Sequence, residues 1–153
     1  MSYNCYRVDT QFGNSKDFIE EIERITKSSV IHTLVDAEET IRKNKIDILI
    51  VAPCTGNTIS KLAYDIIDTP VTVAIKTHLK KEKPVVIGIA SSNGLTGNAE
   101  NIGKLLNRKN YYFIPFRQSN PITKPSTLLF DSSYIIKTLE YALSKEQIQP
   151  LIL

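Results

Sequence analysis

A chain of 153 residues with 42% hydrophobic and 23% charged residues has the size and make-up of a globular domain with a full hydrophobic core. Nineteen Lys and Arg against 16 Asp and Glu leave a formal charge of +3, spread along the chain, which excludes the concentrated basic face of a nucleic-acid-binding protein. Cys5, Cys54, His32 and His78 lack metal-ligand spacing, no apolar run reaches membrane-span length and no signal-peptide pattern opens the chain, so metal-free cytoplasmic residence is expected.

In chain order, residues 3–8 read as a short strand and 9–13 as a turn. Asn14 is placed to cap a helix, with Asp17 in its first turn and Phe18, Ile22 and Ile25 as an apolar stripe. The β-branched run at 29–35 reads as a strand, and a short helix over 37–43 leads into the apolar run 48–52. That run has the continuity of a parallel strand covered on both faces. Pro53 ends it, and Thr55-Gly56-Asn57-Thr58 forms a small polar elbow. The following helix turns Ile59, Leu62 and Ala63 inward and Ser60 and Lys61 outward.

Asp68-Thr69-Pro70 carries the signature of a helix start, followed by Val71, Ala74, Ile75, His78 and Leu79 on one face. Lys80-Lys81-Glu82-Lys83 suits a solvated helix end. Residues 85–90 form a second buried strand, and Ser91-Ser92-Asn93-Gly94-Leu95-Thr96-Gly97 a second polar elbow. A helix from about Asn98 is expected to face Ala99, Ile102 and Leu106 inward. Residues 111–116 read as a strand, and 117–125, with Pro121 and Pro125, as a surface loop. A last helix near 132–144 carries Ile136, Leu139 and Leu143, and the tail 146–153 either packs or serves a partner. Strands alternating with helices predict a single α/β domain over 1–153, with a three-layer, mostly parallel, doubly wound sheet.

If the two buried strands are neighbours, both elbows face one crevice at the carboxyl edge of the sheet. They offer amides, hydroxyls and backbone N–H groups without a carboxylate, His or Lys, a lining suited to a planar polar heterocycle rather than a metal. Ordinary turns whose Asn and Gly serve backbone requirements are the alternative. Cys54 fits a buried small hydrophobe better than a nucleophile, His78 a core or interface position, and Arg108, Arg117 and Lys124 are candidates to hold an anionic substrate.

Residues 52–63, Ala-Pro-Cys-Thr-Gly-Asn-Thr-Ile-Ser-Lys-Leu-Ala, followed by Asp68-Thr69-Pro70, resemble the P-A-S-A-N-T-x-x-K-x-A motif of the flavoprotein family. That family includes the flavin-dependent cysteine decarboxylases and flavin prenyltransferases. Within it, the sequence is similar from about Asp9 onward to the B-type components of dipicolinate synthases. Tyr112-Phe113-Ile114-Pro115-Phe116 and Gln147-Ile148-Gln149-Pro150 are among the shared pieces. The resemblance implies a Rossmann- or flavodoxin-like sheet, FMN as cofactor and Thr55, Gly56, Asn57 and Thr58 as its contacts. It further implies Asn93 as the catalytic candidate, with Arg117 and Lys124 as substrate contacts. On the dipicolinate synthase branch it implies oxidation of dihydrodipicolinate to dipicolinate in sporulation, an A-type partner carrying NAD(P), and a homo-oligomer. An independent decarboxylase or prenyltransferase, or a non-catalytic scaffold, is the alternative. The Met and Trp expected around Asn93 are absent, as is the family's His-I-x-L segment, which argues against decarboxylation. The family's first strand and its phosphate loop have no counterpart here, so weak or absent flavin binding is expected.

Overall fold

The computed structural model describes Asp9 and residues 13–153. The strand expected at 3–8 and most of the turn after it lie outside the described residues. Along the chain run α1 (Ser15–Thr26), α2 (Leu34–Lys43), β1 (Leu49–Thr55), α3 (Gly56–Ala63), α4 (Pro70–Leu79) and β2 (Val85–Ser91). They are followed by α5 (Ala99–Leu106), β3 (Tyr111–Phe113), β4 (Phe116–Asn120), β5 (Lys124–Phe130), a 3-10 turn at Ser132–Tyr134 and α6 (Ile135–Leu143). The described residues up to Lys45 form one compact unit with Ile67–Thr77, and Ile46–Ile66 form a second with His78–Leu153.

The first unit is helical. Thr33 Oγ1 accepts from the Asp36 N–H at 3.1 Å, a helix cap that draws Leu34 and Val35 into α2. The strand expected at 29–35 therefore does not form, because a local cap outweighs β-branched propensity. Ala37 and Ile41 are buried, whereas the α1 stripe of Phe18, Ile22 and Ile25 is 44%, 38% and 65% exposed. At the start of α4 the Thr72 N–H donates to Thr69 Oγ1 at 3.2 Å and the Thr69 N–H to Thr72 Oγ1 at 3.1 Å. Pro70 sits at the first helical position, where its missing N–H costs nothing, so this helix starts as its sequence predicts.

The second unit is built on β2. Val85 to Ile89 are fully buried, and both edges of the strand are used. β1 pairs with one edge in parallel, with Thr55 opposite Ala90. β3 takes the first half of the other edge in parallel, and β5 takes its end antiparallel, with Leu128 opposite Ser91. β4 pairs antiparallel with β5. The parallel expectation thus holds for β1 to β3, and a hairpin extends the sheet where a loop was expected at 117–125. Two local devices make that hairpin. Asn120 Oδ1 accepts from the N–H groups of Ile122 and Thr123 at 2.9 and 2.8 Å, closing the turn around Pro121. Pro125 sits where the register slips between the Asn120–Lys124 and Gln118–Leu128 pairs, so its missing N–H leaves no ladder bond unmade.

Val86, Tyr112, Ile114 and Ala142 form a core under α6, joined by Phe130, Ile135 and Leu139. Ile59 and Leu62 of α3 and Ile102 and Leu105 of α5 are also buried, where the two helices pack on each other, α3 on β1 and β2 and α5 on β3. Two helices are turned relative to their expected faces: Leu106 is 42% exposed in α5, and Ile136 and Leu143 are 66% and 53% exposed in α6. β1 is covered less than expected, with Ile50 42% exposed. A bulge between Val51 and Cys54 contains the cis Ala52–Pro53 bond. Gly88 lets that bulge lie close, since a Cβ there would be 3.0 Å from the Ala52 Cβ. The tail packs. Gln147 accepts from the Phe113 N–H and donates to the Phe113 carbonyl, both at 2.7 Å, satisfying the last residue of β3 as a strand would. Ile148 is buried beside it.

His78 is fully buried, with Nε2 donating to the Pro84 carbonyl at 3.2 Å and Nδ1 unpartnered. Burial holds its pKa below the ordinary value, Lys81 and Lys83 push the same way, and the Pro84 bond and Asp47 oppose them. The unfolded chain therefore binds the proton more readily than the fold. Stability from this residue is complete above the ordinary histidine pKa and declines as pH falls below it. Urea unfolding at pH 8.0 and 5.5 is expected to show a loss at the lower pH that His78→Gln reduces; an equal loss in both proteins defeats the assignment.

Candidate functional site

β1 and β2 are parallel neighbours, with Cys54 opposite Ile89 and Thr55 opposite Ala90, so both polar elbows leave the sheet at the same carboxyl edge. The first is a strand running into a helix with no loop between them. Thr55 keeps extended backbone, φ −75 and ψ 159, and α3 begins at Gly56. The Thr55 side chain does not cap the helix; its Oγ1 lies 3.4 Å from Thr58 Oγ1. Among the described residues no side chain accepts from the first N–H groups of α3, at the positive end of the helix dipole. Asn57 is exposed, with no side-chain hydrogen bond among the described residues.

A chain of amides and hydroxyls, buried at Asn98, Asn101 and Ser91, ties this elbow to the second. Asn101 Nδ2 donates to Ser60 Oγ at 3.1 Å and to Asn98 Oδ1 at 3.2 Å. Ser60 Oγ donates to Asn98 Oδ1 at 2.8 Å and lies 2.9 Å from the Gly56 carbonyl. Asn98 Nδ2 donates to Asn93 Oδ1 at 2.7 Å, and Ser91 Oγ donates to the same oxygen at 2.8 Å. Backbone bonds from Thr96 and Asn98 to the Asn93 carbonyl, at 3.2 and 3.1 Å, close the turn. Gly56 is what leaves room. A Cβ at this position would lie 2.4 Å from Asn98 Nδ2 and 2.7 Å from Ser91 Oγ.

Thr55, Gly56, Asn57, Thr58 and Asn93 are thus brought to one edge, and the other candidates are not. Arg117 lies on β4 opposite Leu129, two strands from β2 and so about 10 Å away across the sheet. There it helps hold the Asp131 carboxyl below its usual range, an effect dominated by the hydroxyl and N–H of Ser133. Lys124 is exposed and pairs with Asn120 beside the hairpin turn. Arg108 donates to the Leu62 and Ala63 carbonyls at 3.0 and 2.8 Å and pairs with Asp65 at 3.1 Å, closing the end of α3. Cys54 is fully buried and its thiol is pushed up to about 12 by burial, which makes it inert as a nucleophile. Among the described residues no cluster of three His, Cys, Asp or Glu could hold a metal ion, and no helix is long and apolar enough to cross a membrane.

Ser60, Asn98 and Asn101 are the site residues that sequence reasoning missed. Ser60 was expected to face outward. The usable signal lies at positions 98, 101 and 105, whose helical spacing puts two asparagines on the face that Leu105 buries.

An open α/β sheet with two polar elbows at its carboxyl edge is the frame of the flavoproteins. The sequence model of the family described as Flavoprotein matches residues 8–133, and the chain belongs to that family. It is 35% identical over 152 residues to the B component of dipicolinate synthase from Bacillus subtilis (strain 168), covering 99% of this chain and 76% of that protein. The crystal structure of the corresponding B component from Bacillus halodurans C superposes with a TM-score of 0.87 at 40% identity, over 95% of this chain and 75% of that one. The FMN-dependent cysteine decarboxylase SpaF shares the fold, with a TM-score of 0.60 at 21% identity over 81% and 71% of the two chains.

Two glycine substitutions separate crowding from helix propensity. Gly56→Ala is expected to destabilise by about 1–3 kcal/mol through steric conflict with the amide chain. Gly103→Ala in α5, where a Cβ meets nothing within 4 Å, is expected to stabilise by about 0.5–1 kcal/mol. Chemical unfolding of both variants checks this; a neutral Gly56→Ala shows that the elbows are not packed as described.

Proposed function

We propose that this chain is the B-type component of a dipicolinate synthase, acting with an A-type partner in the cytoplasm of a sporulating cell. The observation that supports the reading is near full-length similarity to the B component of the Bacillus subtilis dipicolinate synthase, at 35% identity. In the proposed reaction, dihydrodipicolinate loses a hydride to NAD(P) held by the partner and a proton to solvent or a base. Aromatisation of the ring supplies the driving force.

The elbows fit a flavin through its ring. The open N–H groups of α3, the hydroxyls of Thr55 and Thr58 and the amide of Asn57 offer hydrogen-bond partners to the carbonyls and nitrogens of a ring edge. The two elbows hold no Lys or Arg to meet a phosphate. A flavin, when bound, supplies a two-electron carrier that is an alternative to NAD(P) as hydride acceptor and not a second one. In this reading Thr55, Gly56, Asn57 and Thr58 bind and orient the ring, Asn93 contacts the substrate or ring edge, and Arg117 and Lys124, outside the crevice on the β4–β5 hairpin, act on carboxylates only through long-range charge. Assembly with the A-type partner, and with further copies of this chain, belongs to the same proposal.

Dihydrodipicolinate oxidation by the A-type partner alone, with this chain added, and with its Asn57→Ala variant tests the proposal. Stimulation by the unmodified chain that falls at least about tenfold in Asn57→Ala is expected, the loss that follows when a ligand's hydrogen-bond partner is removed. Stimulation that Asn57→Ala leaves intact assigns a scaffold role instead. No stimulation at all refutes the reading.

A further inference from the structure

The amide chain behind the elbows has a direction. Asn101 Nδ2 supplies hydrogens to Ser60 Oγ and Asn98 Oδ1, Asn98 Nδ2 passes one to Asn93 Oδ1, and Ser91 Oγ supplies that oxygen with a second. Asn93 Oδ1 is thereby occupied by two donors. Its Nδ2 has no hydrogen bond among the described residues, and the residue is exposed.

The links turn together. An asparagine reversed at 98 would set its oxygen against the oxygen of Asn93 and its NH2 against that of Asn101, so all three amides point one way or all three point the other. The buried end breaks the tie. Asn98 and Asn101 are 4% and 6% exposed, and in the observed direction the orphaned atom is a single carbonyl oxygen, Asn101 Oδ1. The reverse direction would turn that oxygen toward Ser60 and Asn98 and leave an NH2 group with two hydrogens unsatisfied in the same buried place, the costlier outcome.

We propose that Ser60, Asn98 and Asn101 are positioning residues that fix Asn93 as a hydrogen-bond donor, so that the crevice takes its ligand through an acceptor group, a ring carbonyl or a carboxylate. This rests on the reading of the two elbows as the ligand crevice. Asn93 does not choose its role by its own rotation; Asn101, buried in α5, chooses it.

Side-chain amide exchange, followed by NMR on the full chain, tests the relay without any ligand. In the unmodified protein the Nδ2 hydrogens of Asn98 and Asn101 are expected to be protected and those of Asn93 to exchange freely; the reverse pattern overturns the proposal. Asn98→Asp keeps the shape but replaces the donor with a carboxylate oxygen, so Asn93 is expected to turn its NH2 inward. Its exchange should slow by about tenfold or more, as for a hydrogen bond to a charged group. A folded Asn98→Asp protein with unchanged Asn93 exchange overturns it. If Asn98→Asp does not fold, the pattern in the unmodified protein decides alone.

Titration of both proteins with FMN and, separately, with pyridine-2,6-dicarboxylate reads the ligand side. Binding of either probe that weakens about tenfold in Asn98→Asp supports the acceptor assignment and names its source. Unmodified protein that binds neither probe refutes the crevice reading, while the exchange result still stands for the relay.

Discussion

The side chain of Asn98 is used at both ends. Its oxygen receives Ser60 from α3 and Asn101 from α5, and its NH2 group reaches the Asn93 turn that follows β2. Three elements that share no continuous backbone ladder at this point are thereby held through one amide. A polar group at 4% exposure has no water to fall back on, so each of its bonds is obligatory and the elements it joins lose their independence. Gly56 follows from the same constraint, since the space a side chain would take there is occupied by Asn98, Ser91 and Asn93.

The rest of the second unit supplies a rigid backing for that knot. β2 is buried on both faces and paired on both edges, which keeps the two carboxyl-edge turns in register. β3 is too short to cover its whole neighbour, and two different parts of the chain make up the deficit. The β4–β5 hairpin takes the end of β2, and Gln147 satisfies the end of β3 with a side-chain amide in the role of a peptide group. Arg108 closes α3 from the far side by meeting its last carbonyls, so a cation that looked available for substrate is committed to the helix behind the elbow.

What could be read from sequence was whatever rests on local chemistry. Continuous apolar runs marked β1 and β2, the Thr69–Pro70 start marked α4, and small polar residues after each strand marked the elbows. The motif at 52–63 carried the resemblance to the flavoprotein family, to which the chain belongs. Illegible features depended on what lies across space. Prolines at 121 and 125 argue for a loop until the Asn120 turn and the register slip give each of them a harmless place. Leu105 and Leu106 differ by one residue, or about 100° around a helix, and only packing decides which faces in. Ser60 reads as a surface serine because its partners lie 38 and 41 residues away.

Cys54 occupies the last buried position before the first elbow, and no solvent reaches its sulfur while β1 and β2 remain paired. A thiol so placed is a built-in clock for strand separation. With Cys5 replaced by Ser, alkylation of Cys54 can proceed only as fast as this edge of the sheet opens. The rate then measures the free energy of a local opening that global unfolding averages away. The residue that the sequence suggested as a buried small hydrophobe thus becomes a natural probe of how firmly the crevice wall is held.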